Sequence, residues 1–88
     1  MFIRIDHAPH DVTEQEIMDL FNSSPRVKHV IIKNEQLTED SIVWVRLNID
    51  SRAVINGIAD YLNDRYIRGF NIKVSAPLFF NEPWIQDS

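Results

Sequence analysis

Apolar and polar positions change their period along this chain in a regular order. Phe2 to Ile5 is short, apolar and β-leaning, which predicts a first strand, and the DHAPHD that follows has the composition of a loop. In VTEQEIMDLFN, Thr13 and Glu16 have the spacing of a capping box, where each side chain bonds the other residue's backbone N–H. Val12 and Ile17 fit the accompanying hydrophobic staple. Ile17, Leu20 and Phe21 give the i, i+3, i+4 face of a helix to be buried, and Ser23, Ser24 and Pro25 end it.

Val27 to Lys33 is rich in β-branched residues and predicts a second strand, followed by the polar loop NEQLTED. The third strand is SIVWVRL, Ser41 to Leu47. Asp50 or Ser51 caps a second helix with an apolar stripe of Ile55, Ile58, Ala59 and Leu62. Gly57 weakens that helix by about 1 kcal/mol relative to alanine. After NDRYIRG, the alternating FNIKVS predicts a fourth strand. The order is βαββαβ. Two helices with one apolar face each cover only one side of a four-stranded antiparallel sheet, so the expected fold class is α+β, a two-layer sandwich with its other side open.

The period of two assigns residues to sides. Val30, Ile32, Val43, Val45, Leu47, Ile72 and Val74 are expected toward the helices. The open face collects Phe2, Arg4, Ile31, Lys33, Ile42, Trp44, Arg46, Asn71 and Lys73, and no acidic residue falls at these alternating positions.

Formal charge changes the picture only when it is located. The net value of −4 argues against coating nucleic acid by bulk electrostatics. Yet Arg4, Lys33, Arg46 and Lys73, four of nine basic residues, share the open face. The acids lie elsewhere, at Asp11, Glu14, Glu16 and Asp19 around the first helix, Glu35, Glu39 and Asp40 in the loop, and Asp60 and Asp64 near the second helix. Aromatic rings among cations suit single-stranded nucleic acid, because any base stacks on Phe or Trp while Arg and Lys meet phosphate. A protein contact is the alternative, since aromatic and Arg residues also mark interfaces.

With 88 residues and no cysteine, the chain supports one core and neither a disulfide framework nor a thiolate metal site. The start MFIRIDHAPH meets charge too early for a signal peptide, and no apolar run approaches the roughly 20 residues of a membrane span. An intracellular protein is expected, with nucleus and cytoplasm not distinguishable. The domain is expected over residues 1–76, with 77–88 an aromatic extension. Its PLFFNEPWIQ is too apolar to float freely, and either covers the sheet, adds rings beside it or marks an interface.

Other chemistry finds little support. His7 and His10, with Asp6 or Asp11, are too loosely spaced for a metal site, and His29 has no plausible partner. No nucleophile sits in a recognisable elbow, and two glycines cannot build a phosphate-cradling loop. No enzyme, metal or cofactor is expected.

Residues 2–76 resemble the RNA recognition motif family. MFI is similar to its shorter motif, with Phe2 in the aromatic place, and DVTEQEIMDLF to its first-helix region. LNDRYIRGFNIKV resembles L-N-G-x-x-I-x-G-R-x-I-x-V at Leu62, Asn63, Ile67, Gly69, Ile72 and Val74. In the longer motif, Trp44 keeps a stacking place, while Asp40, Ser41 and Ile42 replace the family's cation, glycine and first aromatic. The resemblance implies a ferredoxin-like fold binding single-stranded RNA with two rings, through Phe2, Arg4, Lys33, Ile42, Trp44, Arg46, Asn71 and Lys73. Two stacked bases at about 1–3 kcal/mol each fall short of the roughly 12 kcal/mol of nanomolar binding, so micromolar affinity or weaker is expected.

A subclass, the UHM domains, captures tryptophan-bearing peptides with an acidic first helix and an Arg-x-Phe loop. Arg65, Tyr66 and Ile67 align with that loop, with Ile67 in place of Phe. This alternative needs no RNA and draws on Asp19, Asp60, Arg65, Tyr66 and Ile67. A protein partner would then use the helix side or the aromatic tail.

Overall fold

Val43, Val45 and Leu47 leave their strand on one side and are buried, and that alternation organises the layers. The computed structural model describes residues 1–34 and 40–77. Its elements are β1 (Phe2–Pro9), α1 (Glu14–Leu20), β2 (Val27–Asn34), β3 (Asp40–Leu47), α2 (Arg52–Leu62), β4 (Tyr66–Ile67), β5 (Phe70–Asn71) and β6 (Lys73–Ser75). The expectations for residues 78–88, including coverage of the sheet, and for the loop 35–39 lie outside the described residues.

Four strands form an antiparallel sheet in the order β2, β3, β1, β6, so β1 and β3 are central. Ile3 and Ile5 pair with Val45 and Val43, and Val30 and Ile32 pair with the same two residues from the other side. This inner surface meets Ile17 and Phe21 of the α1 region and Ile55, Ala59 and Leu62 of α2 in one core. Each fully buried Ile or Val there contributes roughly 1.5–3 kcal/mol. The result is the expected two-layer α+β sandwich with both helices on one side.

Local chemistry sets the helix ends. The capping box is present: Glu16 N–H donates to Thr13 Oγ1 at 3.2 Å, and Thr13 N–H donates to Glu16 Oε1 at 3.0 Å. Val12 and Ile17 are both in the core, as a staple requires. The stop is made by Asn22 and Ser23, both left-handed at φ 57° and 52°, ahead of Pro25. Ser23 N–H bonds the Met18 carbonyl and Asn22 N–H bonds that of Asp19, the paired closure of a Schellman motif. Of the two candidate caps for α2, Ser51 is the one used, accepting from Val54 N–H at 3.3 Å.

Two sequence expectations are corrected. β1 does not end at Ile5. Asp6 pairs with Lys73, the register shifts beyond Ile5 at a bulge holding His7 at φ 65°, and Ala8 and Pro9 pair with Ser41 and Asp40. Pairing on both sides carries loop-like residues into the sheet. Nor is FNIKVS one strand. Phe70–Asn71 pairs with Tyr66–Ile67 as a hairpin, and only Lys73–Ser75 joins the main sheet. The hairpin turns at Arg68 (φ 49°) and Gly69 (φ 85°), the two positive values that a type I′ turn requires.

Candidate functional site

The outer surface of the sheet is built on β1 and β3. Phe2 lies opposite Arg46, and Arg4 opposite Trp44. On β2, Ile31 is opposite Trp44, Lys33 opposite Ile42, and His29 opposite Arg46. Strand pairing thus brings Phe2, Arg4, Ile31, Lys33, Ile42, Trp44 and Arg46 to the same side, as their alternation predicts.

Trp44 is the centre of this group. The Phe2 ring meets it edge-on, with centroids 6.2 Å apart and planes at 80°. The Arg4 guanidinium carbon lies 5.7 Å from its ring centre. Such contacts lock an aromatic through ring quadrupole and cation. Trp44 is only 2% exposed. The expectation of an open ring is therefore corrected: Trp44 is on the outer side but buried, and a base could stack on it only after its faces are uncovered.

The electrostatics also differ from the expected pattern. Because β1 runs on to Pro9, Asp6 enters the outer surface and accepts a hydrogen bond from Arg4 Nε at 3.0 Å. Lys73 is ion-paired with Asp64, which follows α2 with φ 66°. Arg46 is exposed and has no ion pair among the described residues. Asn71 belongs to the hairpin rather than the main sheet and donates to the Asp64 carbonyl at 3.1 Å. His29 was left out of the outer surface although alternation with Ile31 and Lys33 puts it there, opposite Arg46, while the register shift between Val27 and His29 turns Val27 inward opposite Leu47. A bulge of this kind leaves no mark in hydrophobic period.

At the end of β3, Ser41 is fully buried and its hydroxyl lies 3.0 Å from the His10 carbonyl. Asp40 meets His7 Nδ1 at 2.9 Å. Asp40 and Ser41 therefore tie the bulged end of β1 to its neighbour.

The residues of the peptide-binding alternative fall into two groups. Asp19, Tyr66 and Ile67 line a shallow depression of about 260 Å³ with Glu16 and Leu20. Arg65 instead lies over the Tyr61 ring at 4.3 Å and donates to the Tyr61 carbonyl, and Asp60 is exposed on α2. The cation nearest the acidic helix is Arg68. It meets Glu16 Oε2 at 2.7 Å and Asp11 Oδ1 at 2.9 Å. Hydrogen bonds from Arg68 hold the carboxyls of Asp11 and Glu16 below their usual values, helped at Glu16 by the Thr13 backbone N–H. The same bonds, Asp11 first, push the Arg68 guanidinium up.

The chain matches no protein-family model and no curated protein. Its fold, however, is shared with solved structures. The third RRM domain of Mip6 superposes with a TM-score of 0.70 at 22% identity, covering 84% of this chain and 88% of that one. The RRM of Rna15, solved with bound RNA (GU), gives 0.68 at 15% identity, covering 96% and 89%. A Snu17p–Pml1p structure, an intermediate of RES complex assembly, gives 0.68 at 19% identity, covering 98% and 73%. The fold is thus RRM-like, a ferredoxin-type α+β sandwich. These similarities establish architecture, which by itself hosts many functions.

Proposed function

We propose that this chain is a small RNA-binding domain that takes single-stranded RNA weakly on the outer surface of β1, β2 and β3. The observation that carries the reading is the grouping of Phe2, Arg4, Trp44 and Arg46 on paired positions of the two central strands. Arg46 makes the first phosphate contact, Phe2 offers ring surface, and Arg4, Lys33 and Lys73 add charge around them. Trp44 stacks on a base once its ring is uncovered. The energy of uncovering lowers the apparent affinity by the fraction of molecules in which the ring is accessible. The structurally similar Rna15 RRM was solved with bound RNA (GU), which supports an RNA-binding reading of this fold.

The test is an anisotropy titration of labelled mixed-sequence RNA with the wild-type chain and with Arg46→Glu. Wild type is expected to bind at micromolar Kd or weaker. Arg46→Glu is exposed and leaves the core intact, so it should weaken binding and flatten the dependence on salt by about 0.7 in log–log slope for each phosphate it no longer neutralises. Equal binding by the two proteins would overturn the reading.

The second reading, capture of an aromatic peptide side chain, draws on the depression between Asp19 and Ile67. Tyr66→Ala would abolish such capture and leave RNA binding unchanged. Capture of a tryptophan peptide without any RNA affinity would favour this second reading.

A further inference from the structure

Helical spacing predicts one apolar stripe on α2, but the folded helix has two. Ile55, Ala59 and Leu62 are buried in the core. Ile58 is half-buried and packs on the edge of that core, as its place in the predicted stripe requires, and with Val54, Gly57 and Tyr61 it also forms a second line at helical spacing, with Val54 49% and Tyr61 67% exposed. This line borders a groove of about 380 Å³ that continues into a second depression lined by Asp50 and Ile49. Phe21, Leu47 and Ile49 supply the apolar wall opposite Val54, Ile58 and Tyr61. Gly57 sits in the middle of the line, and a Cβ built there meets none of the described residues within 4 Å. The described residues therefore give no packing reason for glycine in a helix interior, where it costs about 1 kcal/mol relative to alanine.

The two residues that flank the line in sequence, Asp50 and Arg65, carry opposite charge. Asp50 lies before the helix and is exposed, with no ion pair among the described residues. Arg65 lies beyond the helix and rests on the Tyr61 ring. Arg26, at the Asp50 end of the groove, donates to the Asn48 carbonyl at 3.2 Å.

We infer that α2 is the contact surface for a second copy of this chain, the two helices packing antiparallel about a two-fold axis between Gly57 and Ile58. In that register Ile58 of each copy enters the gap over Gly57 of the other, and Val54 meets Tyr61. The same register sets each Asp50 against the opposite Arg65, so apolar fit and charge agree in one arrangement. A symmetric interface requires such self-complementarity. The patch is only one helix long, so the dimer is weak and forms only at high protein concentration.

Sedimentation of the full chain over rising concentration tests this. A reversible monomer–dimer equilibrium is expected. Asp50→Arg alone and Arg65→Asp alone each place like charges together at two symmetric contacts and should weaken the dimer about tenfold. An equimolar mixture of the two variants restores opposite charges at both contacts and should recover wild-type association. Tyr61→Glu, at an exposed position, should abolish it. A chain that stays monomeric to millimolar concentration would overturn the inference. So would a dimer indifferent to both charge variants, or a mixture that fails to recover.

Discussion

The Arg4 guanidinium lies 5.7 Å from the centre of the Trp44 ring while its Nε donates to Asp6 at 3.0 Å. A cation that could meet phosphate is thus held between an aromatic ring and a carboxylate on its own strand. The arrangement steadies the ring and reduces the charge offered to a ligand. Its consequence is testable at Asp6.

Asp6→Asn should raise RNA affinity. The substitution removes a negative charge from the outer surface and loosens the hold on Arg4, while the near-isosteric amide still fits beside β6. The salt dependence of binding should steepen by up to about 0.7 in log–log slope, if Arg4 then neutralises one phosphate. Anisotropy titrations at several salt concentrations would measure both effects, and an unchanged slope would show that Arg4 does not meet phosphate.

Arg68 joins the hairpin to the start of α1 through Asp11 and Glu16. Both carboxyls titrate below their unfolded values, so the pairing stabilises the fold above the ordinary carboxylate range and is lost as pH falls through the lowered folded values. Arg68→Asn keeps a residue tolerant of positive φ and removes the ion pairs. It should unfold at lower urea concentration than wild type at neutral pH, and the two should converge in acid once both carboxyls are protonated. A gap that persists unchanged in acid would show that the pairing does not contribute.

Gly57→Ala should stabilise the monomer by about 0.5–1 kcal/mol, since the added methyl meets open space and the helix loses its most flexible residue. Urea unfolding at low protein concentration isolates this effect. The same methyl fills the gap that Ile58 of a second copy would occupy, so self-association should weaken as monomer stability rises.

Thr13→Ala should cost about 1 kcal/mol, because it removes the acceptor for Glu16 N–H at the start of α1. The loss should appear as a lower unfolding midpoint with an unchanged denaturant slope.

The strands whose one side enters the core were readable from alternation alone. Val43, Val45 and Leu47 had to share a side, and Ile42, Trp44 and Arg46 followed to the other, because a one-residue slip would have exposed the first set. The capping box at Thr13 and Glu16 was equally legible, being a short-range pattern with a defined pair of bonds. The end of β1 was not. His7 and Pro9 read as loop, and only pairing with β3 across a bulge makes them strand. The hairpin at Arg68 and Gly69 has arms too short to show periodicity, although glycine after Arg68 was a turn signal. Trp44 shows a different limit. Period two says which side a ring leaves from, while its 2% exposure depends on what packs around it in three dimensions.

RNA binding on the outer surface of the sheet is tested most directly by an amide-shift titration of the isotopically labelled chain with short single-stranded RNA. Fast-exchange shifts are expected only at residues 2–4, 29–33, 44–46 and 73–75, with a change in the Trp44 indole signal as its ring is uncovered. Shifts absent from these positions, or gathered instead at Asp19, Tyr66 and Ile67, would contradict it.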